Sequence, residues 1–84
     1  MMELYFHYEN LSKHVITPEE VEECFRDPNR LLRRIGGIYW LIGKTEAGRI
    51  LHFGYRKEPD KSYFVFHGMP ARDYEKRQYK FKGK

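Results

Sequence analysis

Three turn signals, each about one strand apart, constrain this chain more than any other feature. They are Gly36-Gly37, Thr45-Glu46-Ala47-Gly48 and the stretch from Glu58 to Lys61. Paired glycines suit a two-residue hairpin because both turn positions need positive φ. Between the signals lie strand-like runs: RLLRRI (30–35), IYWLIGK (38–44), RILHFGYR (49–56) and SYFVFH (62–67). Connections this short leave no room for a crossover helix, so the runs pair as antiparallel hairpins. Residues 38–44 are apolar on both faces and read as a central strand. In 49–56, Leu51, Phe53 and Tyr55 share one face, and Ile50, His52, Gly54 and Arg56 share the other. Arg33-Arg34 reads as charge on an edge strand, which blocks pairing between sheets. Gly68-Met69-Pro70 reads as the break after the last strand.

Helices flank this meander. Thr17 caps a helix over 17–26, Pro18 sits at its first position, and Glu20 completes a capping box. Val21, Cys24 and Phe25 make its buried stripe, and Asp27-Pro28 stops it. A second amphipathic helix is predicted over 71–80, with Tyr74 and Gln78 one turn apart and Arg72, Lys76, Arg77 and Lys80 supplying charge. Near the N-terminus, residues 3–8 (ELYFHY) alternate weakly as a short strand, and 9–14 (ENLSKH) suit one or two helical turns. The expected architecture is therefore α+β: a small antiparallel sheet of about four strands with N-terminal helices and a C-terminal helix. At 84 residues this is one domain.

Charge is unevenly distributed. Residues 1–28 hold seven acids and two bases, whereas 29–84 hold fourteen bases and five acids. A basic segment interleaved with aromatics suits a polyanion such as RNA, or an acidic protein partner. It also suits plain solubility. The single cysteine excludes an internal disulfide and any multi-cysteine zinc site, and Cys24 falls on an apolar helix face. No apolar run is long enough for a membrane span and no signal peptide is evident, so a cytoplasmic location without membrane association is expected. Phosphate-binding, dinucleotide-binding and zinc-protease motifs are missing, so no cofactor and no metal are expected.

The remaining candidates for chemistry are imidazoles and cations. His52 and Arg56 share a strand face, and His67 and Arg72 flank the last strand–helix junction. Such a set can move protons and hold phosphate charge without a metal, because imidazole titrates near neutrality and Arg is always charged. The same residues serve pure binding, or simply decorate an exposed face. Tyr39, Trp40, Tyr55 and Tyr63 can stack bases; for Trp40 a core position is the expectation, since its strand is apolar on both faces.

Three strings, KHVITPEEVEECFRDPNRLLRR, IYWLIGKTEAGRILHFGYR and ARDYEKRQY, resemble in order and spacing the BrnT-like toxin family. The resemblance spans about residues 5–80, with Val15 where the family usually has Gly. It implies a RelE-like fold and a toxin of a type II toxin–antitoxin system. That toxin would be a metal-independent endoribonuclease, neutralised by a ribbon-helix-helix antitoxin encoded next to it. Operator DNA would be contacted only through the antitoxin. Carried across by position, the resemblance implies His14, Arg72, Arg77 and Tyr79 as catalytic residues. His52, Arg56, His67 and Lys76 would contact RNA. The alternative is a non-catalytic module of the same fold that binds nucleic acid or protein.

Overall fold

The computed structural model describes residues 4–6 and 16–82. Strands β1 (Leu4–Phe6), β2 (Leu31–Ile35), β3 (Ile38–Lys44), β4 (Ile50–Lys57) and β5 (Tyr63–Pro70) form one sheet in the order β1-β5-β4-β3-β2. Helix α1 (Pro18–Arg26) covers one face and helix α2 (Asp73–Lys82) the other. The α+β class and the four-stranded antiparallel meander match the expectation from sequence. The sheet is extended by β1, which pairs parallel with Tyr63–Val65 of β5. The helical turns expected at 9–14 lie outside the described residues.

Turn chemistry fixes the hairpins. Gly36 and Gly37 stand at φ 57° and 85°, the left-handed pair a two-residue hairpin requires. Gly48, at φ 94°, closes the β3–β4 turn, where Thr45 N–H donates to the Arg49 carbonyl at 2.8 Å. Lys61, at φ 70°, takes the equivalent place before β5.

Helix α1 begins as its sequence dictates. The Glu20 N–H donates to Thr17 Oγ1 at 3.2 Å, and the Thr17 N–H donates back to Glu20 Oε1 at 3.0 Å. Val21 and Cys24 are fully buried, and the Phe25 ring packs on Phe53, Tyr55 and Tyr63. Gly43 is the contact point with the sheet. A Cβ there would lie 2.8 Å from Cys24 Cβ and 3.0 Å from the Cys24 carbonyl oxygen, so only glycine lets helix and strand approach this closely. The core on this side is Ile16, Val21, Cys24, Leu41, Leu51, Phe53, Tyr55 and Val65.

Three sequence expectations are corrected. Strand β5 does not break at Gly68 but runs on to Pro70. Among the described residues β1 pairs with β5 only from Tyr63 to Val65, and no described strand flanks Pro70 on that side. Helix α2 consequently starts at Asp73 and runs to Lys82. Its inward residues are Glu75 and Tyr79, at 4% and 5% exposure, while Tyr74 stays half exposed. A helix facing a polar side chain cannot be oriented by hydrophobic spacing alone.

Candidate functional site

Register brings the candidate side chains together on the α2 face. Two rows cross the sheet: Leu31–Ile42–His52–Met69, and Arg33–Trp40–Gly54–His67. A β-bulge decides the second row. Tyr55 pairs with Val65 and Gly54 with His67, so Phe66 is the extra residue in β5. Strict alternation from buried Val65 would aim His67 into the α1 core. The inserted residue turns it onto the opposite face, beside Phe66. The Trp40 ring lies 6.1 Å from both the Phe66 and the His67 rings, and 5.5 Å from His52. Trp40 is thus half-buried on the α2 face, not in the α1 core as its strand's composition suggested.

His52 and Glu75 form the centre. His52 Nδ1 donates to Glu75 Oε2 at 2.6 Å, and Glu75 Oε1 accepts the Arg72 N–H at 2.8 Å. Both carboxylate oxygens are therefore engaged, as a polar side chain only 4% exposed requires. The backbone contact also caps the first turn of α2, where a carboxylate meets the positive end of the helix. Holding Nδ1–H leaves Nε2 as the imidazole's free position. Burial pushes the His52 pKa below the usual 6.5. Glu75 opposes this, and the neighbouring His67 and Arg72 add to it.

Around this pair opens a cleft of about 800 Å³ between α2 and strands β2 and β3. Trp40, Ile42 and His52 line its sheet side, Tyr74, Arg77 and Phe81 its helix side, and Arg33 its β2 wall. Among the described residues Glu75 is the one carboxylate lining it, and it is already bonded to His52. The cleft is therefore apolar on its walls and cationic at its mouth. The carboxylates of α1 lie across the sheet from it.

The other expected residues separate. Arg72, Lys76 and Arg77 are exposed on or beside α2. Arg56 faces the same side as His52 but is held further along the strand, 3.0 Å from Glu58 Oε1 and 5.0 Å over the Phe64 ring. Tyr79 takes a different place. Its hydroxyl donates to Asp27 Oδ2 at 2.5 Å, tying α2 to the end of α1, and Lys44 Nζ lies 5.8 Å over its ring. Burial and the Asp27 contact push its pKa up to about 12. Burial likewise raises the Cys24 thiol to about 12, so it is a packing residue and not a nucleophile. His14 lies outside the described residues.

Glu75 is the residue sequence reasoning missed. Its one local signal is the spacing Arg72-x-x-Glu75, an acid at the third position of a helix start. Nothing in the chain links position 75 to position 52. Among the described residues, no three of His, Cys, Asp and Glu group as metal ligands, and no helix is long and apolar enough to cross a membrane.

No family model matches this chain, and no curated protein matches it in sequence. What the site can do therefore rests on its own geometry.

Proposed function

We propose that the chain is a small endoribonuclease that works without a metal, with His52 as general base and Glu75 holding it in place. The observation that carries this reading is the 2.6 Å contact between His52 Nδ1 and a buried carboxylate, at the edge of a cation-rimmed cleft. Such a contact presents Nε2 as a fixed proton acceptor, and a pKa below the usual value keeps it unprotonated at neutral pH. In the reaction, Nε2 takes the proton of a ribose 2′-hydroxyl as that oxygen bonds to phosphorus. The bond to the 5′-oxygen breaks, and His67 returns a proton to it. His67 stands diagonally across from His52, about 7–8 Å away in such a pairing, which leaves room for a phosphate between them. Arg77 and Arg33 supply charge for the phosphorane oxygens.

The resemblance to BrnT-like toxins and the RelE-like fold it implies belong to this proposal, as does a cytoplasmic toxin held by an adjacent ribbon-helix-helix antitoxin. One surface feature supports such a partner. Leu32, Ile35, Tyr74 and Phe81 are 49–78% exposed beside the cleft, among Arg33, Arg34, Arg77 and Lys80. An amphipathic acidic segment fits apolar anchors rimmed by cations, and it would close the cleft.

The test is RNA cleavage in EDTA, with and without translating ribosomes, by wild type, His52→Ala and Glu75→Gln, each checked for folding by circular dichroism. Loss of about 10²–10⁴-fold in His52→Ala supports the assignment. Glu75→Gln should cleave more slowly and shift the pH profile. A wild type that binds RNA in a salt-dependent way but cleaves neither free nor ribosome-bound RNA would replace this reading with that of a binding module.

A further inference from the structure

The row Arg33–Trp40–Gly54–His67 has a gap at its third position, and the indole occupies it. A Cβ on Gly54 would come within 2.8 Å of Trp40 Cζ3 and 3.2 Å of Phe66 Cζ. The Trp40 ring therefore lies down across the bare backbone of β4 instead of standing out from β3. Phe66 and His67 meet it at 76° and 71°, and His52 tilts toward it at 45°. Three neighbours thus hold a flat aromatic surface that lines the cleft, with half-exposed Tyr74 on the helix side. Of the aromatics that sequence alone offered for stacking, Tyr39, Tyr55 and Tyr63 pack together on the α1 face, which leaves Trp40.

Arg33 and Arg77 share the same cleft, and Arg33 is Trp40's direct cross-strand partner. A planar apolar surface beside two guanidinium groups matches one ligand chemistry in particular, an aromatic base joined to a phosphate. The volume of about 800 Å³ suits a nucleotide.

We infer that Trp40 seats a single nucleobase, with the attached phosphate held by Arg33 and Arg77 between His52 and His67. This rests on the ribonuclease reading and deepens it. The cleft takes an unpaired base, so the substrate is single-stranded at the cut.

Trp40 is the sole tryptophan, so its own fluorescence reports the seat. Adenosine monophosphate should quench it saturably. Ribose 5-phosphate, lacking the base, should not, and adenosine, lacking the phosphate, should bind more weakly. Arg77→Ala and Arg33→Ala, both at exposed positions, should each weaken binding of the monophosphate about tenfold. Gly54→Ala should displace the indole and change its emission before any ligand is added, with folding checked by circular dichroism. The inference is overturned if adenosine monophosphate gives no saturable quenching, if the double Arg variant binds it as wild type does, or if an acidic Leu/Glu peptide quenches where the nucleotide does not. The two readings fail separately. Quenching that survives in cleavage-dead His52→Ala supports the seat, whereas cleavage by a wild type that shows no quenching overturns the seat alone.

Discussion

Replacing Tyr79 by Phe removes one hydroxyl and leaves the ring's packing in place. That hydroxyl lies 2.5 Å from Asp27 Oδ2 and joins α2 to the end of α1. A hydrogen bond to a charged group contributes about 1.5–3 kcal/mol. Asp27 keeps two other donors, the Lys44 N–H at 2.8 Å on Oδ2 and the Asn29 N–H at 2.9 Å on Oδ1. No carboxylate oxygen is stranded by the substitution, so the lower end applies, about 1.5 kcal/mol. For a domain of this size that lowers Tm by roughly 6–12 °C. The difference should also depend on pH. Burial raises the Asp27 carboxyl, but the donors from Tyr79, Asn29 and Lys44 outweigh it and hold its pKa below 3.8. A depressed carboxylate stabilises the fold above its unfolded pKa, and that stability is lost as pH falls through the folded value. Wild type and Tyr79→Phe should therefore converge as the pH drops below 3.8. Urea denaturation followed by circular dichroism, at neutral and acid pH, measures both effects. A gap under about 0.5 kcal/mol at neutral pH would refute the latch, as would a gap that persists after Asp27 is protonated. Under the proposed function the folded variant keeps its cleavage. Abolished cleavage in a folded Tyr79→Phe would mean that the hydroxyl acts in the chemistry, as the family resemblance implies.

Two further outcomes follow from the packing and the titration of the sheet. Gly43→Ala puts a methyl 2.8–3.1 Å from Cys24 backbone and Cβ atoms, which cannot rotate away, so stability should fall by about 1–3 kcal/mol in urea denaturation. An unchanged midpoint would mean that α1 does not seat on β3 at this distance. Acidification tests His52: its folded pKa lies below 6.5, so the unfolded chain takes up the proton first and stability should decline as pH falls below 6.5. His52→Gln should flatten that decline. A wild type that gains stability over the same range would show that the Glu75 carboxylate outweighs burial.

Sequence alone determined the local structure. The capping box at Thr17, the stop at Asp27-Pro28 and the paired glycines at 36 and 37 each act within a few residues, so their outcome needs no partner. The division of β4 into a core face of Leu51, Phe53 and Tyr55 and an opposite face of His52 and Gly54 was equally legible, because alternation is a property of one strand. The site was not. Its residues come from positions 33, 40, 52, 67, 75 and 77, and three tertiary facts assemble them. The bulge at Phe66 moves His67 to the face of His52. The missing side chain at Gly54 lets Trp40 lie flat between them. The N-terminal turn of α2 drops Glu75 onto His52, where a buried carboxyl group is tolerated only because its partners are already there. A periodic reading assigns a carboxylate to solvent by default, since burial of Glu is favourable only with a partner that the linear chain does not display.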